Sequence, residues 1–213
     1  MIRVVCNDGS SIFPYIARIP TEMKKNLPMI VLLHGAGERG DGSNGVIDAV
    51  EVHGFSKLLK LDEEYDCVLV QPQCKDNTTW AAHVQEIGQF VKDMIKKYDI
   101  DESRVYLTGL SMGGYGTWFT AMEFPQLFAA IAPVCGGGMP WNVGMLSMPV
   151  WAFHGACDGL VLPSNSIDMI NALRAQGRGD DVKFDLLEGV GHNAWDYAYN
   201  KTLYDWFMSY KRG

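Results

Sequence analysis

"RVYLTGLSMGGYGTWFTAMEF", residues 104–124, decides how the rest of the chain is read. Its opening, "RVYLTG", alternates polar and apolar residues and predicts a short strand over 104–109. Its second half predicts a helix over 112–124. Pro125 stops it, because proline has no amide hydrogen and its ring clashes with the preceding helical turn. Ser111 is left where a strand turns directly into a helix. Gly109-Leu110-Ser111-Met112-Gly113 fits G-x-S-x-G, a pattern in which serine occupies a strained turn and small neighbours let the two backbones approach. Gly114 and Gly116 extend the small face at a cost of about 1 kcal/mol each in helix propensity. That expense predicts close packing against a sheet.

Outward from this turn, strand-like and helix-like segments alternate. "IRVVCN" and "IFPYIARI" read as an N-terminal hairpin around Asp8-Gly9. "MIVLLH" (29–34) and "CVLVQP" (67–72) are continuous apolar runs, as in strands buried on both faces. Residues 47–61 between them have room for a helix. Val84, Ile87, Val91, Met94, Ile95 and Tyr98 recur at helical spacing over 84–98. Strands follow at 128–134, 149–155 and 182–188, with helices at 163–176 and 195–209. No repeat, low-complexity tract or linker interrupts the pattern. The expectation is one α/β domain, residues 1–213, with a mostly parallel central sheet covered by helices on both faces.

Composition sets the class. The chain has 213 residues, of which 47% are apolar, enough for a sizeable core. The net charge of -7 argues against nucleic acid or an anionic membrane surface as partner. No apolar run approaches the roughly 20 residues that span a bilayer. Polar residues arrive too early in "MIRVVCNDGSSIF" for a secretion signal. The five cysteines are odd in number and scattered, without a C-x-x-C pair, which predicts reduced thiols and a cytoplasmic setting.

A serine hydroxyl is a weak nucleophile until a base takes its proton. Of five histidines, His192 in "GVGHNAW" lies just past the strand at 182–188, on a glycine-flanked loop tip. In open parallel sheets, sites assemble at the carboxyl ends of the strands. His34 and His154 each end a strand before a glycine and read as structural rings bonded to nearby backbone, and His53 and His83 as surface or helix residues. A base needs an orienting carboxylate. Asp158, in "HGACDGLVLP" after the strand at 149–155, gives the chain order Ser, Asp, His expected for a serine on such a turn. An oxyanion needs fixed donors. The Met112 amide opens a helix just after the serine, and "LLHGAGERG" (32–40) is a glycine-rich loop whose Ala36 amide is favoured by spacing. G-x-x-x-x-G-K-[ST] is absent, so nucleotide binding is disfavoured, and no ligand spacing argues for a metal. No cofactor is expected.

Read together, "MIVLLHGAGERGDG", "VLVQPQC", "VYLTGLSMGGYGTW", "VWAFHGACDGLVLP" and "GVGHNAWDYAY" resemble the α/β-hydrolase superfamily. The resemblance is to its small carboxylesterase and feruloyl-esterase-like group, which includes phospholipase/carboxylesterase and predicted-peptidase chains. It implies an α/β-hydrolase fold and a serine hydrolase acting on carboxylic esters. It places the catalytic Ser, Asp and His on Ser111, Asp158 and His192, and the oxyanion amides on Ala36 and Met112. Residues 135–148 are too few for a cap domain, and an open cleft suits small or soluble esters, of short-chain acyl or acyl-carbohydrate type. Trp80, Met139, Trp141 and Trp195 are pocket candidates, as large side chains that stack on or bury a substrate group. The same triad also serves serine peptidases and thioesterases, and a non-catalytic binding module on this scaffold is the remaining alternative.

Overall fold

The computed structural model describes residues 1–213. Eight strands form one sheet: β1 (Ile2–Cys6), β2 (Tyr15–Ile19), β3 (Leu27–Leu33), β4 (Val68–Pro72), β5 (Ile100–Leu110), β6 (Ala130–Val134), β7 (Val150–Gly155) and β8 (Val182–Leu187). Their spatial order is β1-β2-β4-β3-β5-β6-β7-β8. β1 and β2 form an antiparallel hairpin, and β2 runs antiparallel to β4; every other pairing is parallel. The longer helices are α1 (Val84–Tyr98), α2 (Met112–Glu123) and α3 (Ser164–Ala175); a short α4 (Trp195–Ala198) and α5 (Lys201–Met208) end the chain. This is the α/β-hydrolase arrangement that the sequence implies.

The continuous apolar runs are explained by burial on both sheet faces. Met29, Val31 and Leu33 of β3 point into a core shared with α1, α2 and α3, while Ile30 and Leu32 point into a second core shared with α5. Side chains alternate across a strand, so a strand covered on both sides needs apolar residues at every position. α1 spans the predicted residues and buries Ile87, Phe90, Val91, Met94, Ile95 and Tyr98 on one stripe.

Two segments differ from expectation. Residues 47–61 form two short 3-10 turns, Ile47–Glu51 and Gly54–Lys57, in place of a helix. Gly54 has φ +82 and lies against Leu32, where a Cβ would collide with that side chain. Buried Arg18 fixes the segment instead: it pairs with Glu51 at 2.7 Å and donates to the carbonyls of Ser56 and Leu59. The closing helix is broken at Tyr199–Asn200. The Asn200 side chain accepts from the Leu203 amide at 3.0 Å and caps α5 afresh. No helix is long and apolar enough to cross a membrane.

β3 is the pivot of the sheet. The chain leaves it for β4 on one side, while β5 lies on its other side and continues to β6. Such a reversal opens a crevice at the carboxyl ends of the two strands. The loop after β3 and the turn after β5 meet there.

Candidate active site

Ser111 sits on that turn with φ +53 and ψ -115. A β-carbon rarely tolerates positive φ, so the conformation costs on the order of 1–3 kcal/mol and must be imposed by its surroundings. The glycines supply that constraint. A Cβ on Gly113 would overlap the Leu33 carbonyl, and one on Gly109 would overlap Gly113. Gly114 packs against the Val134 carbonyl and Gly116 against Leu33 and Trp80. The small face therefore lies against the sheet, as its composition predicts.

The structure brings Ser111, His192 and Asp158 into one line. His192 Nε2 is 2.8 Å from Ser111 Oγ, and its Nδ1 is 2.6 Å from Asp158 Oδ2. The other carboxylate oxygen accepts the amides of Leu160 at 2.9 Å and Val161 at 3.0 Å. Burial works against the charged form of Asp158. Hydrogen bonds from His192, Val161 and Leu160 outweigh it and hold the carboxyl below its ordinary range. Asp158 is thus an anion with its Oδ1 fixed by backbone, so its Oδ2 accepts the Nδ1 hydrogen of His192. That tautomer leaves Nε2 free to take a proton from the serine.

Met112 is the first residue of α2, and Ala36 is the first of a 3-10 turn, Ala36–Glu38, entered from an extended Gly35. First-turn amides have no intrahelical acceptor, which makes both available donors. Arg39 braces this loop by donating to the carbonyls of Ala36 at 2.9 Å and Thr78 at 3.1 Å. Glu38 takes no part in that bracing; its Oε2 is shielded from solvent and has no hydrogen-bond partner. Beneath the loop, His34 is buried. The Cys74 amide donates to its Nε2 at 2.9 Å, so its Nδ1 carries the hydrogen shared with the Gly35 carbonyl at 2.6 Å. Burial holds His34 down to about 4, a neutral strut as expected.

The cleft over Ser111 has a volume of about 340 Å³ and walls that include Ala36, Leu110, Leu160, Val161 and Trp195. The four pocket candidates separate here. Trp195 lines the cleft and meets His192 edge-on at 5.1 Å between ring centres. Trp80 does not line it: the ring is wholly buried, donates Nε1 to the His34 carbonyl at 3.0 Å and supports the loop from below. Met139 lines a different groove, with Ala81, Val84 and Phe119. Trp141 is 82% exposed on the 3-10 turn Pro140–Met145, outside the cleft wall. Leu160 and Val161 were not anticipated. Their one sequence signal is apolar character in a loop directly after the acid, "DGLVLP".

Cys135, His154 and Asp158 also come together, with one ligand-type atom from each within 4.8 Å of the others. They are 19 and 4 residues apart, which no spacing rule would flag. The Asp158 oxygens are already taken by four hydrogen bonds or close contacts, and His154 Nε2 by a carbonyl. The trio therefore reads as the underside of the triad.

The profile of the family described as BD-FAE matches residues 17–126, just over half of the chain. The chain belongs to the BD-FAE family. Among curated relatives, poly(3-hydroxyalkanoate) depolymerase C of Paucimonas lemoignei is 33% identical over 142 residues, covering 61% of this chain and 32% of that protein. Acetylxylan esterase A of Aspergillus oryzae is 24% identical over 196 residues, covering 88% and 64%. Among solved structures, a thermostable esterase is 29% identical with a TM-score of 0.81, covering 99% of this chain and 63% of that one. The acetyl xylan esterase of Aspergillus awamori has a TM-score of 0.74 at 18% identity, covering 98% and 99%, a likeness of fold. The chain spans less than two thirds of the length of the curated relatives named here. Ser111 and the glycine-rich loop after β3 fall inside the residues matched by the BD-FAE family, and Asp158 and His192 lie beyond them.

Proposed function

We propose that this chain is a serine carboxylesterase that hydrolyses small or soluble carboxylic esters through an acyl-enzyme. The observation that carries the reading is the unbroken hydrogen-bonded line from Ser111 through His192 to Asp158, ending in an open cleft. Ser111 Oγ attacks the ester carbonyl as its proton passes to His192 Nε2. Asp158 stabilises the imidazolium that forms, and the Ala36 and Met112 amides receive the oxyanion. His192 then protonates the leaving alcohol, and in the second half-reaction it activates a water that releases the acid.

The cleft volume suits a short acyl group, and the absence of a cap over it leaves room for a bulky alcohol such as a carbohydrate. The relatives named as acetylxylan esterases support the acyl-carbohydrate type. The test is a panel of 4-nitrophenyl esters of rising acyl length, acetylated and feruloylated sugars, an acyl thioester and a short peptide amide, with Ser111→Ala as control. Turnover of short-chain or sugar esters that falls at least about 10⁴-fold in the folded Ser111→Ala protein supports the reading. Ester turnover that survives the substitution refutes it, and preference for the thioester or amide moves the protein to the corresponding class.

A further inference from the structure

Beneath the triad lies a second imidazole. His154, in β7, is wholly buried, and its Nε2 is 3.3 Å from Asp158 Oδ2 and 2.9 Å from the Val161 carbonyl. An ionised carboxylate and a carbonyl only accept, so this nitrogen carries its hydrogen. Its Nδ1 faces Ser166 Oγ at 2.7 Å, and the single hydroxyl hydrogen of Ser166 is shared between that nitrogen and the Gly136 carbonyl at 2.9 Å. Burial pushes the ring below the ordinary imidazole value, which makes it a neutral Nε2–H tautomer with Ser166 fixing the far side. Asp158 therefore accepts three hydrogen bonds, two amides on Oδ1 and the His192 ring on Oδ2, and the His154 Nε2–H, which bonds to the Val161 carbonyl, lies 3.3 Å from Oδ2 with its positive end beside that oxygen.

We propose that His154 is a positioning residue for the triad, holding Asp158 in the rotamer that meets His192 and drawing charge away from its Oδ2. The other ionisable groups facing this pocket are silent near neutral pH. Burial pushes the Cys135 thiol up to about 12 and raises the Tyr115 phenol, so both stay uncharged. Glu38 lines the cleft above Ser111 and makes no contact with His154. Without the His154 donor, Asp158 bears more charge on the oxygen that meets His192, and the imidazolium at His192 is favoured. The acid limb of kcat/KM then moves to higher pH.

This inference rests on the esterase reading, which the Ser111→Ala control decides on its own. Given an active wild type, His154→Phe, which keeps a ring but no donor, is expected to lower kcat about tenfold or more and to raise the midpoint of the acid limb by about half a pH unit. His154→Gln, whose side-chain amide restores an N–H, is expected to recover most of both. A folded His154→Phe protein whose acid limb stays in place overturns the proposal, as does a glutamine variant no better than phenylalanine. Should His154→Phe not fold, the wild type itself provides the test by proton–nitrogen correlation of the ring. A His154 Nε2 that is protonated from pH 6 to 8, and whose resonance shifts when Ser111 is phosphonylated, supports the role. An unprotonated or unmoved Nε2 overturns it.

Discussion

His192 Nε2 stands 2.8 Å from Ser111 Oγ although 81 residues separate the two. β8, which leads to His192, is three strands away from β5, which leads to Ser111. The loop carrying the imidazole must run back over the end of β7 to close that gap, and Gly155 is what lets it pass. A Cβ there would overlap the carbonyls of Gly191 and Val190.

Gly155→Ala is accordingly expected to disable the site from beneath. The clash is with backbone, which cannot rotate away, so the loop shifts and His192 is carried off Ser111. A displacement of about 1 Å can cost about 10²-fold in rate. The check is kcat on a short-chain 4-nitrophenyl ester together with a thermal melt. The expected result is a loss of about 10²-fold or more, larger than a small drop in Tm explains.

Asp158→Asn is expected to fold and to lose about 10⁴-fold in kcat. The Leu160 and Val161 amides need an acceptor, so the asparagine carbonyl turns toward them and its NH2 faces His192. His192 Nδ1 must then accept, the hydrogen moves to Nε2, and the serine loses its base. The same NH2 confronts the Nε2 hydrogen of His154, donor against donor, so Tm should fall as well. Steady-state kinetics and a melt at pH 7.5 check both parts.

His34 gives the fold a pH dependence of known sign. Its folded value is held down to about 4 against an ordinary 6.5, because the buried ring must stay neutral. A value depressed by folding contributes stability that is fully present above the unfolded value and lost as pH falls through the folded one. Stability should therefore decline between about pH 6.5 and 4, by up to about 1.4 kcal/mol per pH unit from this ring. Buried His154 adds a contribution of the same sign. Urea unfolding at pH 7, 5.5 and 4.5 measures the slope, and a folded His34→Gln protein should show a shallower one over the same window.

The strand-turn-helix at Ser111 could be read from sequence because its signals are local, and the loops carrying Asp158 and His192 could be placed beside it because each follows a strand of the same parallel sheet. A turn forced on a serine needs small neighbours at fixed offsets, and strand ends in a parallel sheet share one edge. The fate of Trp80 could not be read. Its burial depends on the loop after β3 folding back over it, a contact 46 residues distant. Residues 47–61 misled for a related reason: their course is set by Arg18 on another strand, not by their own propensity. His154 was visible as a buried strand-end ring but not as a neighbour of Asp158, since the intervening turn bends Asp158 back toward it.

The most direct measurement is the site of covalent modification by a fluorophosphonate, followed by peptide mass mapping. Ser111 held beside His192 should take one phosphonyl group per chain, on the peptide containing "GLSMGGYG", and labelling should drop sharply in His192→Ala. Stoichiometric label on another residue, or an esterase that turns over substrate while Ser111 remains unmodified, would contradict the assignment.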